Sequence, residues 1–417
     1  YKYNIAIIPG DGIGPEVINA SLKVIRKALI LDNILIKEKI YDWGSNYYKN
    51  NKLMMPKDGL EKLKKHDAIF FGAVGDEKIA DDITLWGLRL NICQGLDQFA
   101  NVRPSKYIEG INSPLKKEIA KKIDWIIVRE NSEGEYAGSG GIVHKDLPIE
   151  IGSEVAVFTR EGCRRIHDYA FKLALKRPKK HLTLITKSNA QKHGMKLWDR
   201  VFYEVKKNYP QVKTNKLLVD AATAVMVNNP EKIDVMVATN LHADILSDLA
   251  SALTGSLGIG ATANITTDKN LPSMFEPIHG SAFDIVGKNI ANPIGAIWSG
   301  MMSGPSNSGS YTSLFDGTDG DAGGYEQPTD GNTLTFTPTG GITATSSIEI
   351  YAYQSASTYA GSADITVNGS SIKTGAVQSA LGTGAAGGYV NIGTTSLTTL
   401  TWSNPSGSNN DYRLMHL

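Results

Sequence analysis

Two aspartates, Asp244 and Asp248, stand four residues apart in the run Thr239-Asn240-Leu241-His242-Ala243-Asp244-Ile245-Leu246-Ser247-Asp248. On a helix that spacing projects both carboxylates from one face. Like charges so placed repel unless a cation lies between them, and hard divalent ions such as Mg²⁺ or Mn²⁺ favour oxygen ligands of this kind. The plainer alternative is that one Asp caps the helix and the other faces solvent. Asp220 closes the apolar run Leu217-Leu218-Val219, and strand C-termini are where α/β proteins place ligands. It could equally cap the segment that follows. Lys187 has the same address, after Leu184-Ile185-Thr186. A lysine beside a cation or basic groups can titrate low enough to act as a general base. A solvated surface lysine is its commoner fate.

The elements that must position these groups alternate in type. Ile5 to Ile8 reads as a buried strand, followed by a Gly-rich turn and by Pro15 at a helix start. Val17, Leu22, Val24, Ile25 and Leu29 then recur at helical spacing. Further strands are expected at 68–71, 125–128, 155–158, 182–185, 217–219 and 235–238, with helices over 161–175 and 244–253 between some of them. Such alternation predicts an α/β fold with much parallel pairing.

The 417 residues predict two or three domains. The net charge of +1 hides a switch in composition: after about Met302 Lys and Arg almost vanish, leaving Lys373 and Arg413, while Gly, Ser and Thr dominate. There, 333–337, 347–353, 363–367, 389–392 and 397–402 alternate apolar residues with Ser or Thr between turn signals, which predicts a small antiparallel β-sandwich. Residues 303–312 read as a linker and 313–417 as a Gly/Ser/Thr-rich β domain. No basic stripe interleaves with aromatics, which argues against nucleic acid, and no run approaches the ~18 apolar residues of a membrane span. Two cysteines, Cys93 and Cys163, and no signal-peptide pattern after Tyr1 point to a reducing, cytoplasmic compartment. The absent initiator Met suggests a processed or truncated start.

Taken together the segments of the first three hundred residues resemble the β-decarboxylating dehydrogenases, the family of isocitrate, isopropylmalate, tartrate and D-malate dehydrogenases. The likeness begins at Ile7-Ile8-Pro9-Gly10-Asp11-Gly12-Ile13-Gly14-Pro15-Glu16-Val17 and runs to Ala291-Asn292-Pro293-Ile294-Gly295-Ala296-Ile297-Trp298. Thr84-Leu85-Trp86-Gly87 and Arg129-Glu130-Asn131-Ser132-Glu133-Gly134-Glu135-Tyr136 look most like the tartrate/D-malate branch. The resemblance implies an isopropylmalate-dehydrogenase-like two-domain fold. Residues 1–100 plus 250–302 would make a larger cofactor-binding domain, and 101–249 a smaller domain for dimerisation and metal.

It also implies roles. Asp244 and Asp248 would hold the metal, with Asp220 supplied by the neighbouring subunit of a homodimer. Lys187 would take the hydroxyl proton, Tyr136 would protonate the enolate, and Arg103 and Arg129 would grip the carboxylates of a small 2-hydroxy diacid. His279, Gly280, Ser281, Ala282, Asp284, Ile285 and Asn292 would bind the adenosine of NAD, with Asp284 disfavouring the 2′-phosphate of NADP. Trp86 and Arg89 in the pocket segment disfavour a greasy substrate branch, so D-malate or tartrate is preferred over 3-isopropylmalate.

The sequence also departs from the family. An arginine expected ten residues before Arg103 is Cys93 here, and Arg89, four residues earlier, could reach the same pocket from a helix. His242-Ala243 replaces Phe-Gly, and Phe283 replaces a proline. The likeness stops near Met301, short of the helices that complete the larger domain, so the enzyme part is expected to be C-terminally truncated. The segment beyond resembles phage-fibre and adhesin modules in composition alone. A non-catalytic structural or adhesive fusion, or a chimeric join of two genes, is the competing reading.

Overall fold

The computed structural model describes residues 2–31 and 34–302, and beyond them short lengths of strand backbone. The chain divides into two compact units, Tyr1–Asp316 and Gly317–Leu417. In the second, strand backbone at Thr333–Phe336 and Asp364–Val367 pairs antiparallel with Leu400–Ser403, and Glu349–Gln354 pairs with Gly387–Asn391. The expected linker at 303–312 and the side-chain packing of a sandwich lie outside the described residues.

The first unit carries β1 (Lys2–Gly10), β2 (Leu35–Ile40), β3 (Ala68–Ala73), β4 (Ala100–Lys106), β5 (Asp124–Glu130), β6 (Gly134–Val143), β7 (Ile151–Val157), β8 (His181–Thr186), β9 (Lys213–Leu218), β10 (Val235–Ala238), β11 (Ala261–Ile265) and β12 (Ser273–Pro277). All but β6 and β7 form one sheet in the order β2-β1-β3-β12-β11-β4-β5-β10-β8-β9. Its two flanks are parallel, as the strand–helix alternation requires. Through the four central strands β12, β11, β4 and β5 each strand is antiparallel to the next. β6 and β7 make a separate ribbon.

The period-two alternation of the strands sorts the core. Ile7, Val102, Ile126, Val128, Val235, Val237, Ala263 and Phe275 point to one face and join a single apolar cluster beneath the helices Gly14–Leu31, Arg160–Lys176, Gly194–Lys206 and Ile294–Met302. On the other face the apolar residues split into two groups. Ala6, Ile8, Ile69, Phe71 and Met274 belong to one, and Trp125, Ile127, Ile185, Met236 and Ala238 to the other, under the helix Asn240–Thr254. Between those groups the alternation brings polar residues to the same face: Asn101 and Arg103 from β4, Arg129 from β5, Asn264 from β11 and Glu276 from β12, all buried. A strip of charge thus interrupts an otherwise apolar sheet at its antiparallel centre.

Local details follow the sequence with a few corrections. Pro15 is the second residue of its helix, where a missing N–H costs nothing. Val24, counted on the apolar face, is instead exposed. Thr159 caps its helix by accepting from Gly162 N at 2.9 Å. Asp220 does not end a strand; it lies in the first turn of the helix Val219–Asn228. The pocket segment Leu85–Leu90 is a π-helical turn rather than an α-helix.

His167 sits fully buried against Trp198 and Phe202, and neither ring nitrogen has a hydrogen-bond partner. Burial drives its pKa down to about 3. The unfolded chain takes up this proton near pH 6.5, whereas the folded one resists, so the benefit is complete above that pH and drains away as pH falls toward 3. The slope is at most about 1.4 kcal/mol per pH unit. Between pH 7 and pH 4 the urea midpoint of wild type is expected to fall relative to that of His167→Leu, because the variant lacks this acid-sensitive contribution.

Candidate active site

Asp244 is the hub of the polar strip. Its helix starts at Asn240, four residues before the expected boundary, after the cap residue Thr239, so neither Asp244 nor Asp248 is the N-cap. From the fifth helical position Asp244 reaches down to the sheet. Its Oδ1 accepts from Arg103 Nη1 at 3.1 Å and pairs with Arg129 Nη1, while Oδ2 accepts from the Tyr136 hydroxyl at 3.3 Å. Arg103 also donates to Ser247 Oγ at 2.5 Å and to Asn101 Oδ1 at 2.8 Å, and Arg129 Nε donates to Asn240 Oδ1 at 2.8 Å. Arg103 is thus held between its own strand and the helix, and Arg129 by two residues of the helix's first turns, which fixes the direction of each guanidinium.

The charges tune one another. Burial alone would raise the Asp244 carboxyl, but Arg129, Arg103 and Arg89 hold it below the usual carboxylate range. Asp248, one turn on, moves the opposite way, raised by burial and then by the charge of Asp244. Asp248 has no hydrogen bond or ion pair among the described residues. Arg103 is lowered to about 10, first by burial and then by the like charge of Arg129. Tyr136 is raised by burial and by Asp244, which keeps its proton on the hydroxyl at neutral pH.

A second set continues the strip. Arg89 Nε donates to Glu276 Oε1 at 2.9 Å, and its Nη2 lies 2.7 Å from the same oxygen. Asn264 Nδ2 donates to Glu276 Oε1 at 2.7 Å, and Asn264 Oδ1 accepts from Asn101 at 2.7 Å and Asn131 at 3.1 Å. Cys93, in the helix Asn91–Gly95, is buried, and burial raises its thiol to about 11. It is a neutral group. Of this set sequence reasoning singled out Arg89 and missed Glu276, Asn264 and Asn101. Their signal was available: a polar residue at an inward position of a short apolar strand, as in Ser273-Met274-Phe275-Glu276-Pro277.

Not every expected residue joins this cluster. Lys187 donates to Asp220 Oδ1 at 2.5 Å, and that bond holds the exposed Asp220 carboxyl below its ordinary range. Neither residue bonds to Asp244, Asp248 or Tyr136 within the chain. Among the described residues no three His, Cys, Asp or Glu side chains gather as a metal group. His242 is buried with Nδ1 unpartnered, and burial lowers its pKa, so it sits as a neutral ring.

The expected adenosine loop lies on the other side of the Gly10–Gly14 turn. Ile13 N donates to the Ser281 carbonyl at 2.8 Å, and Gly12, at φ +57°, packs so tightly on that carbonyl that a Cβ would collide with it. Ala291 N donates to Glu16 at 3.2 Å. His279 Nδ1 contacts the Gly280 carbonyl at 2.9 Å while its Nε2 is buried without a partner. Asn292 Oδ1 accepts from Ile294 N at 3.0 Å, ordering the start of the last helix. Ala282 is left-handed at φ 42°, just before the turn Phe283–Ile285 that carries the exposed Asp284.

A carboxylate pair on one helix turn thus lies against fixed guanidiniums and a protonated tyrosine, the kind of constellation from which α/β enzyme sites are built. Comparison with known proteins gives the particular family. Residues 4–303 match the family described as isocitrate/isopropylmalate dehydrogenase. A probable tartrate dehydrogenase/decarboxylase, TtuC', of Agrobacterium vitis is 60% identical over 298 residues, which cover 71% of this chain and 83% of that protein. The D-malate dehydrogenase [decarboxylating] of Escherichia coli (strain K12) is 45% identical over 300 residues, 72% of this chain and 83% of that one. The crystal structure of isocitrate dehydrogenase from Methylococcus capsulatus superposes with a TM-score of 0.65 at 34% identity, covering 72% of this chain and 84% of that one. The chain belongs to the isocitrate/isopropylmalate dehydrogenase family.

Removing the hub should be costly. Asp244→Ala leaves the buried Arg103 and Arg129 without their shared anion, and is expected to lower stability by roughly 1–3 kcal/mol, less than a fully buried pair because Asp244 is about a third exposed. A guanidinium chloride titration reads the loss, and Asp244→Asn is expected to lose less.

Proposed function

We propose that the chain catalyses the NAD-linked, metal-assisted oxidative decarboxylation of a small 2-hydroxy diacid, D-malate or tartrate in preference to 3-isopropylmalate. The observation that carries this reading is the convergence of Arg103, Arg129 and Tyr136 on Asp244, with Asp248 one turn away on the same face.

The donor set fits a hard divalent cation. Two carboxylates share a helix face, one of them with no hydrogen bond or ion pair among the described residues, and the surrounding groups are oxygen donors and cations rather than thiolates. Asp244 and Asp248 would hold Mg²⁺ or Mn²⁺, with Asp220 contributed by a second subunit. The loop fits NAD: Asp284 presents an exposed carboxylate suited to ribose hydroxyls and hostile to a 2′-phosphate, and a Cβ on Gly280 would meet no atom within 4 Å. When bound, the cation supplies Lewis acidity at the substrate carbonyl and NAD accepts the hydride.

The chain's own residues do the rest. Arg103 and Arg129, already aimed by Asn101 and Asn240, orient the two carboxylates of the substrate. Lys187 Nζ removes the hydroxyl proton as the substrate is oxidised, its position set by Asp220. Tyr136 returns a proton from its hydroxyl to carbon after carbon dioxide leaves. Lys187 and Asp220 meet Asp244 and Tyr136 across a dimer in this reading. The two halves of the sheet divide the labour, with the β1–β3, β11 and β12 half holding the cofactor and the β4–β10 half holding the metal and the partner subunit.

The β6–β7 ribbon supports the dimer. An isolated two-stranded ribbon is marginal in water, yet this one exposes Ile142, Val143, Ile151 and Val155. Val143 and Ile151 are cross-strand partners, so they offer a continuous apolar edge. A second copy of the ribbon completes it. Ile151→Glu is expected to shift the mass in light scattering from dimer to monomer and, in the same sample, to abolish activity.

The activity itself is read from NADH absorbance in the presence of Mn²⁺. D-malate or tartrate is expected to be oxidised faster than isopropylmalate or isocitrate, and chelation of the metal to stop the reaction. Silence with all four acids from a folded sample would defeat the proposal.

A further inference from the structure

The site's second buried ion pair joins Arg89, expected to reach the substrate pocket, to Glu276, which the sequence did not single out. A buried pair is a poor device for stability, because desolvating both charges offsets most of their attraction. This one is also presented unusually. Arg89 lies on the π-helical turn Leu85–Leu90, a geometry that recurs at functional sites. The turn is pressed close at both sides: a Cβ on Gly87 would meet Met54 Cγ at 2.7 Å, and one on Gly138 would meet the Trp86 ring at 2.7 Å. Trp86 thereby rests on the strand that carries Tyr136.

Arg89 is connected to the substrate arginines by an unbroken chain of hydrogen bonds. It runs from Arg89 to Glu276, Asn264, Asn101, Arg103 and Asp244, with separations of 2.9, 2.7, 2.7, 2.8 and 3.1 Å. Glu276 holds the guanidinium by Nε and Nη2, and Nη1 has no hydrogen bond among the described residues. A guanidinium gripped along one edge keeps its remaining donors in a fixed direction. Cys93, where the family resemblance places an arginine, is buried and uncharged and cannot bind a carboxylate.

We infer that Arg89 is a carboxylate-binding residue for the diacid, replacing the arginine missing at residue 93, and that Glu276 is the positioning residue that aims it. The inference rests on the diacid reading of the site and deepens it. It makes the π-helical turn the element by which this chain reads the length and charge of its substrate. Because the brace comes from β12 and the target groups from β4 and β5, the diacid is gripped from both halves of the sheet.

The test is direct binding of D-malate to the full chain with Mg²⁺ and without NAD, followed by calorimetry, beside steady-state kinetics. Arg89→Met is expected to weaken binding roughly 10- to 100-fold, the loss of one hydrogen-bonded charge, and to raise KM more than it lowers kcat. Arg89→Lys, which keeps the charge and most of the volume, should fall between, and Cys93→Ser should bind as wild type does. Glu276→Gln should weaken binding less than Arg89→Met, and the double variant should lose no more than Arg89→Met alone. Unchanged D-malate affinity in Arg89→Met or Arg89→Lys, with a lower melting temperature, would show a structural pair and overturn the inference. So would an equal loss in Cys93→Ser. Arg89-dependent binding in a sample that never reduces NAD would sink the dehydrogenase proposal and leave this one standing.

Discussion

The structure turns on the cost of placing guanidinium groups under a sheet. Arg103 and Arg129 are nearly inaccessible, and each must be met by an anion and by neutral acceptors to remain charged there. Asp244 supplies the anion for both; Asn101 on the same strand and Ser247 on the helix are acceptors for Arg103, and Asn240 at the helix start is the acceptor for Arg129. That demand explains why the antiparallel centre is polar on one face, why the apolar residues of that face fall into two groups, and why the helix Asn240–Thr254 crosses where it does. The catalytic geometry and the packing of the sheet are one problem with one solution.

The arrangement also leaves charge to be answered. Burial, and then the neighbouring charge of Asp244, raises the Asp248 carboxyl above its ordinary range. The guanidiniums opposite it outnumber the settled anions in the immediate cluster. On the proposed function a divalent cation and a diacid would bring opposite charges of equal size, so their joint arrival would keep the pocket near neutrality where either alone would not.

How much of this was legible in the sequence depended on distance along the chain. The Asp244–Asp248 pair is a local pattern, and helix periodicity alone puts both on one face. β1, β3, β5, β8 and β10 were legible because buried strands are continuous apolar runs, whereas β2, β4, β6, β11 and β12 were not anticipated, their runs broken by polar residues or Gly; the change at Met302 was legible because composition needs no contacts. Glu276 was not legible as a partner of Arg89, since 187 residues separate them and no local period connects them. The π-helical turn was read as an α-helix because its residues have ordinary helix-forming character; the difference lies in what packs against Gly87 and Trp86. Asp220 was put at a strand end because the boundary between β9 and its helix falls within an apolar run that gives no mark of the change.

The contact between Asn264 and Asn101 has a mechanical meaning. β11 and β4 are hydrogen-bonded neighbours, and this side-chain bond bridges the seam where the two halves of the sheet join. Tied there by side chain as well as by backbone, the two strands resist shear along the seam more than a ladder alone would.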